Sequence, residues 1–498
     1  MSSFSLLCLL SLCCLSFALS FATAQIDTFD YVVIGAGTAG CAVAGRLAEA
    51  DAEASILLLE RGHFPSEEQW DSVDQNSHLL AFNLWESSNY SRKWPSEPNP
   101  GLGNASVEMF YADSVGGATM INTGQYSRPH ASYFNAWNLP NWEWDKVSPF
   151  YLQMENHKPS SNSSSASFFG TGGPLPISMS FEQTHGKDFI AAIKYHNETF
   201  LDGQEALEED SEAFLQAPRI ILNGKRVTSY QAYVEPLLQD AEANIELRTR
   251  VAVDKIILKE KQTEASEESG ESKWIAVGVV YRDEEGRERE VRVRREVIVS
   301  AGVYDSPIVL MRSGIGPEEH LSSIGIDTLI DLPAVGQNLK NRGGYTVTSV
   351  LTEPTPEMTI DPENETVIAQ WESNPDSSPL SASLAEILGF GKSSSESPDI
   401  DMMYEMTNVI PRSIGVHVDT LVCILAKVRS TGHVELRSED PWDNAKVWPN
   451  FLGDEGDWEA LLSCIDFMRT LNTAPSMTAS EYSFSSFASF LYIPLILF

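Results

Sequence analysis

The hydrophobic pattern of the chain changes period once within its first fifty residues. Phe29–Ile34 is apolar and β-branched with little alternation, as in a short strand buried on both faces. Gly35, Gly37 and Gly40 follow at once, and Ala39, Ala42, Val43 and Leu47 then recur at helical spacing. The pattern predicts strand, tight turn, helix. A second apolar run, Ser55–Leu59, predicts another buried strand and ends at Glu60. Further on, Val251–Leu258, Trp274–Tyr281 and Glu290–Ala301 read as strands, the first two separated by a charged, solvated hairpin loop. Lys187–Tyr195 and Trp458–Leu471 read as helices, and Met402–Arg412 and Val418–Lys427 as strands of a second domain. Residues 62–110, punctuated by prolines, read as irregular connection. Asn156–Gly173 reads as an exposed Ser/Gly-rich loop, and 353–398 as a mobile or variable insertion. No internal repeat is evident.

The opening pattern carries chemistry. Gly35 permits the turn, Gly37 lets backbone approach a pyrophosphate, and Gly40 lets the helix pack on the sheet. The helix N-terminus offers free N–H groups to phosphate. Glu60 stands twenty residues beyond Gly40, at the end of the next strand, where an acid can bond ribose hydroxyls. Two strands, the glycines and the acid together point to dinucleotide binding; a merely tight βα turn would not explain Glu60.

Composition narrows the setting. With 498 residues and 42% hydrophobic content, the chain is long enough for two domains with large cores. A formal net charge of −36 argues against nucleic-acid and anionic-membrane partners. Residues 1–24 hold no charged side chain, Leu6–Leu19 is an apolar run, and Ala22-Thr23-Ala24 resembles a cleavage site. This reads as a secretory signal peptide, giving a secreted protein with no membrane span in the mature chain. An uncleaved anchor is the alternative, although the run is shorter than the roughly 20 residues a bilayer span needs. Sequons at Asn89, Asn104, Asn162, Asn197 and Asn364 agree with secretion and glycosylation. Of the cysteines left after cleavage, Cys41 falls in the first helix as a small buried thiol, which leaves Cys423 and Cys464 as a possible disulfide. No Cys or His spacing suggests a metal.

Several blocks in order then resemble the glucose–methanol–choline oxidoreductase family. They are the opening stretch with Glu60, ADSVGGATMINTGQY (Ala112–Tyr126), FFGTGGPLPIS (Phe168–Ser178), RVTSYQAYVEPLL (Arg226–Leu238) and ANIELRTRVAVDKI (Ala243–Ile256). EVIVSAGVYDSPIVLMRSGIG (Glu296–Gly316), LPAVGQNL (Leu332–Leu339) and VRSTGHVELRSEDP (Val428–Pro441) complete them. The resemblance implies an α/β protein: a Rossmann-like FAD-binding domain, with a second α+β substrate domain built on an antiparallel sheet. It assigns 25–180 and 220–335 to the first domain and 181–219 and 336–471 to the second, with 472–498 an atypical apolar tail. It implies FAD as cofactor and oxidation of a small-molecule alcohol, with hydride passing to the flavin. A cyanohydrin lyase or a non-catalytic FAD-binding protein on the same scaffold are the alternatives. The implied cofactor residues are Gly35, Gly37, Thr38, Ala39, Gly40, Glu60 and Arg61. Gly116, Gly117, Asn122, Thr123, Gly124 and Gln125 are implied along the flavin, and the Val253 backbone at the adenine.

The chain also departs from the family pattern. Asp113 stands where a basic residue or Asn is usual, Ala118 where a small hydroxyl or glycine is usual, Arg128-Pro129 for Arg-Gly, and Asn341-Arg342 for Asp-His. The resemblance implies a catalytic histidine near an H-P-x-G-T motif after the Trp458–Leu471 helix, with a second His or Asn beyond it. Residues 472–498 contain no histidine, so the reading assigns no catalytic residue and expects a truncated, catalytically incomplete product. His130 and His417 are assigned packing or surface roles.

Overall fold

The computed structural model describes residues 26–64, 90–157, 168–179, 184–196, 198, 200–201, 212–261, 273–351, 364–375, 379–381, 385–397, 399–409, 418–479 and 482–491. Residues 1–24, read above as a signal segment, and the sequons at Asn89, Asn162 and Asn197 lie outside these residues, as do His78 and His417.

The chain opens with β1 (Asp27–Ile34), α1 (Thr38–Ala50) and β2 (Ile56–Leu59). A hairpin follows, β3 (Ser91–Pro95) with β4 (Glu108–Ala112). Then come α2 (Thr184–Tyr195), β5 (Phe200–Leu201) and β6 (Ala213–Gln216). Next are β7 (Ile245–Arg248), β8 (Val251–Glu260), β9 (Trp274–Asp283), β10 (Glu288–Val299) and α3 (Gly302–Arg312). The last third holds β11 (Gly344–Leu351), α4 (Glu365–Ser373), β12 (Ala385–Gly391), β13 (Met402–Val409) and β14 (Val418–Leu425). It closes with α5 (Glu455–Leu471) and β15 (Tyr482–Leu491).

The first sheet has the order β7-β2-β1-β10-β9-β8. Its β7, β2, β1 and β10 are parallel, and β10, β9 and β8 continue as an antiparallel ribbon. The parallel part is covered on both faces, which is why β2 reads Ile-Leu-Leu-Leu without alternation and all four residues are buried. Val33, Ile56 and Leu58 face α1, with Cys41 and Ala44. Val32, Leu57 and Leu59 face the β8–β9 side, with Val253 and Val279.

The second sheet is β15-β11-β14-β13-β12-β6-β5, antiparallel except for β5 against β6. Successive side chains along β13 point to opposite faces. Met402, Tyr404 and Met406 pack with Cys423 and Leu425 under α2 and α5. Met403 packs on the other face with Leu388, Phe390, Val422 and Ile424. Cys423 on β14 is bonded to Cys464 on α5, with Cα atoms 6.2 Å apart, so the helix is tied covalently to the middle of the sheet.

Three expectations need correcting. Residues 62–110 are not simply connection, because Ser91–Pro95 and Glu108–Ala112 pair as strands. Their prolines and charges hid the pattern, and Trp94 and Met109 are held by packing on Tyr304 and Ile308 of α3. Nor is 353–398 all insertion, since it contributes α4 and an interior strand, β12. Gly389 in that strand is no strand former, yet a Cβ there would sit 2.3 Å from the Phe214 ring, so the neighbour's aromatic occupies the space. The stretch 156–173 is likewise not one exposed loop. Glu155–His157 pairs with Leu175–Met179, and Phe169 is buried. Glu155 there is fully buried and receives Arg128 through two hydrogen bonds, Nε at 2.7 Å and Nη2 at 2.6 Å. Within 472–498, Pro475–Ala479 is helical and Tyr482–Leu491 (β15) pairs antiparallel with β11 as an edge strand among the described residues.

Replacing Cys423 and Cys464 together by Ala should lower unfolding stability by roughly 2–4 kcal/mol, since the bond closes a loop of 41 residues in sequence separation. Denaturant unfolding of the oxidised protein, the reduced protein and the double variant checks this. Equal midpoints for all three would show that the bond constrains nothing.

Candidate functional site

The strand–turn–helix predicted from the glycines lies at the centre of the first sheet. Gly35 has φ +95°, a conformation that favours glycine. A Cβ on Gly40 would lie 1.9 Å from the Gly35 carbonyl and 2.7 Å from Ser300 Oγ, so α1 can start this close to the sheet only with glycine there. A Cβ on Gly117 would come 2.7 Å from the Cα of Gly37, so the second glycine loop touches the first backbone to backbone. Between them lies a cavity of about 300 Å³. Its walls include Gly35, Gly37, Thr38, Ala39, Glu60, Arg61, Gly117 and Val253 from the predicted set. Gly40 is behind the turn, and Gly116, Asn122, Thr123, Gly124 and Gln125 are not part of that wall.

Glu60 is the electrostatic pivot of the cavity. Its Oε2 accepts the Ala36 N–H at 2.7 Å and its Oε1 the Gly62 N–H at 2.8 Å, so the acid at the end of β2 holds the turn after β1. Burial pushes its carboxyl up to about 7, and the Asp113 charge adds to the rise. The two backbone donors and Arg92 pull the other way. Asp113, the residue out of keeping with the family pattern, has cationic neighbours: Arg92 Nε at 3.3 Å and Arg61 Nε at 3.7 Å. Arg92 also donates to Asp305 and, at 2.9 Å, to Asn444 Oδ1. Burial works against the Arg92 charge, but Asp305 and Asp113 outweigh it and hold the guanidinium above its ordinary value. Arg61 spends two donors on the Pro441 and Trp442 carbonyls, so it binds the 441–442 turn to the cavity rim.

Sequence reasoning did not single out Arg92, Tyr111, Ser114, Asp305 or Arg312, all of which line the cavity. The signal for some was present: Asp305 and Arg312 lie in the Glu296–Gly316 block. Arg312 donates to the Val253 and Asp254 carbonyls, both at 2.9 Å, and so fixes the β8 backbone at the far wall. Arg92 lies in a stretch without periodicity and is found only through its ion pairs.

The 116–125 segment forms a second part of the site. Asn122 Oδ1 accepts from Gly124 N at 3.1 Å and from Arg226 Nη1 at 2.6 Å, so its side chain shapes the turn and holds an arginine that burial pushes down to about 10. Gly124 O accepts from Ile220 N, and Tyr126 N donates to Pro218 O, which joins this segment to the chain leaving β6 of the second sheet. Gln125 is 3% exposed, and neither Oε1 nor Nε2 has a hydrogen-bond partner among the described residues. A cavity of about 220 Å³ follows, walled by Ser127, Pro129 and His130 on one side and Phe390, Ile400 and Met403 on the other. His130 packs edge-on against Phe390, with ring centroids 5.0 Å apart, in keeping with packing, and it also lines this cavity.

The residues present fit a dinucleotide. Gly37 at the N-cap of α1 offers no side-chain cap, leaving the first-turn N–H groups facing the cavity mouth. Thr38 Oγ1 and Ser114 Oγ are buried in the same wall without a hydrogen-bond partner among the described residues. Among the described residues no group of three or more His, Cys, Asp or Glu could hold a metal, and no helix is long and apolar enough to cross a membrane.

Comparison with known proteins agrees with this geometry. The chain matches the GMC oxidoreductase family model over residues 29–342. It is 30% identical over 463 residues to an oxygen-dependent choline dehydrogenase of Rhizobium meliloti (strain 1021), covering 89% of this chain and 77% of that protein. It is 26% identical over 470 residues to an alcohol oxidase of Pichia angusta, covering 86% and 68%. A formate oxidase structure superposes with TM-score 0.78 at 22% identity, covering 93% of this chain and 84% of that one. A fungal aryl-alcohol oxidase does so with TM-score 0.71 at 19% identity, covering 93% and 85%. The chain belongs to the GMC oxidoreductase family, the FAD-dependent oxidoreductases that act on alcohol-type donors.

Proposed function

We propose that this chain is an alcohol oxidoreductase whose FAD spans the two parts of the site. The pyrophosphate would lie at Gly35–Gly40, the adenosine between Glu60 and the Val253 backbone, and the flavin along Gly116–Gln125. The observation that carries this reading is the pair of buried hydroxyls, Thr38 Oγ1 and Ser114 Oγ, without a hydrogen-bond partner among the described residues, at the N-terminus of α1 beside the Gly37–Gly117 contact. Bound there, FAD would supply a hydride acceptor for the carbinol carbon. With no base assigned among the described residues, the hydroxyl proton would pass to solvent and oxidation would be slow; the chain's own residues hold and orient the cofactor. Glu60 orients ribose hydroxyls, Arg92 and Arg61 neutralise Asp113 so that the wall does not repel phosphate, and Arg312 keeps the Val253 carbonyl in place. Secretion is part of the same proposal. The apolar run Leu6–Leu19, the Cys423–Cys464 bond and the exposed sequon residues Asn104 and Asn364 support it.

The first test is cofactor retention and reduction. The full chain, refolded with FAD and desalted, should hold flavin, and an alcohol panel added without oxygen should bleach it only slowly, because no base is assigned to take the hydroxyl proton. Gly40→Ala should abolish retention, because its Cβ collides with the Gly35 carbonyl. Loss of flavin from the native chain would end the cofactor reading. Retained flavin that no alcohol bleaches would turn the reading to a non-catalytic FAD-binding protein.

The second test concerns Glu60. Ribose hydroxyls donate best to the ionised carboxylate, whereas burial holds the free carboxyl up to about 7. FAD binding must therefore deprotonate it at lower pH. The FAD Kd should tighten as pH rises from about 6 toward 7, by up to roughly tenfold per unit, and level off above that. Glu60→Gln should bind more weakly with a flat profile over this range, and a native profile equally flat would exclude Glu60 from ribose binding.

The third test is glycosylation. Expressed through a eukaryotic secretory route, the protein should lose mass on N-glycosidase treatment, and Asn104→Gln with Asn364→Gln should reduce that loss.

A further inference from the structure

Among the described residues, Glu405 differs from the buried carboxylates Glu60 and Glu155. It is 3% exposed, and its Oε1 has no hydrogen-bond partner among the described residues. Glu60 by contrast has two backbone donors, and Glu155 has Arg128. An unpartnered buried carboxyl costs stability and needs a reason.

Its place in the second sheet supplies one. The register sets Glu405 between Leu388 on β12 and Val422 on β14, with Leu215 of β6 next in the same row. Leu215, Leu388 and Val422 belong to the face that carries Met403, opposite the face covered by α2 and α5. Met403 and its cross-strand partner Phe390 form part of the wall of the 220 Å³ cavity, and Glu405 lies two residues along the same face, about 7 Å away. In the other direction the row leads by Leu215 and Ala217 to Pro218–Ile220, which pairs with the Gln125 segment. Glu405 thus lies on the same sheet face as the cavity residues Phe390 and Met403, one cross-strand pair beyond them and not itself part of that wall.

We propose that Glu405 is a substrate-specificity residue: its carboxyl hydrogen-bonds a second, uncharged oxygen of the alcohol substrate, so that the site favours diols and hydroxy-ethers over simple alkanols. The proposal rests on the alcohol-oxidoreductase reading and names the substrate class within it. The carboxyl's neighbours in register are apolar, and burial alone pushes it up to about 8, with no charged group contributing. At neutral pH it is therefore a protonated acid. It carries one donor and spare acceptors, which match a hydroxyl or ether oxygen better than a cation.

The test uses the full chain with 1-butanol, 1,4-butanediol and protonated 4-amino-1-butanol as probes. Ligand binding is followed by thermal shift, with or without FAD, and by flavin absorbance where flavin is retained. The native protein should bind the diol about tenfold more tightly than 1-butanol. Glu405→Gln, which keeps a donor and an acceptor, should stay within about threefold of the native preference. Glu405→Leu should erase it, bind 1-butanol at least as well, and unfold at a higher temperature than the native chain. Three results would overturn the proposal: no diol preference in the native protein, a preference that survives Glu405→Leu, or a lower unfolding temperature in Glu405→Leu, which would make Glu405 a structural group. Preferred binding of the amino alcohol, lost in Glu405→Gln, would also overturn it in favour of a cation anchor. Because the thermal shift needs no flavin, failure of the cofactor reading would be seen separately, as missing flavin absorbance.

Discussion

The Glu60 carboxylate joining the Ala36 and Gly62 N–H groups is the contact on which the site depends. It fixes the end of β2 against the turn that follows β1. That turn is in turn squeezed between Ser300 at the end of β10 and the second glycine loop, with no room for a Cβ at Gly40 or Gly117. Three segments far apart in sequence are thereby held backbone to backbone. The cavity results from this constraint: where side chains are excluded, main-chain N–H groups and two small hydroxyls are left to face a ligand.

The charges around the cavity follow a related logic. Six carboxyl and guanidinium side chains, Glu60, Arg61, Arg92, Asp113, Asp305 and Arg312, line it. Uncompensated, several buried charges would each cost kcal/mol. Here Arg92 faces Asp113 and Asp305, and Arg61 faces Asp113, so the wall carries opposite charges in contact. Asp113 breaks the family's basic pattern in sequence, but Arg92, supplied by the hairpin, brings a cation to the same place. The hairpin is held in turn by Trp94 and Met109 packing on α3.

That hairpin also shows where a sequence is legible. Elements with one dominant period were read correctly in kind and nearly in extent: β1, α1, β2, the β8–β9 ribbon, β13 and α5. Their burial patterns are local consequences of being covered on one face or both. The misread elements are those whose partners are distant. β12 has two glycines and a glutamate, and becomes a strand because β6 and β13 flank it. Ser91–Pro95 and Glu108–Ala112 look like loop until each is paired with the other. Within the site, Glu60 and the glycines could be read because their chemistry is repeated at fixed spacing. Arg92 could not, since nothing local distinguishes a buried arginine from a solvated one.

The same distinction separates the two sheets functionally. On the first, every buried charge described above has a counter-charge or a backbone partner, as a scaffold holding a fixed ligand requires. On the second, β13 alternates between a face locked by α2, α5 and the Cys423–Cys464 bond and a second buried face that carries Met403 and Glu405 and adjoins the 220 Å³ cavity. That second face is itself core, yet it holds an acid among Leu388, Val422 and Leu215. A carboxyl there is neither a fold determinant nor a surface charge. The hydrogen bond that its Oε1 lacks among the described residues is one that a polar ligand can make.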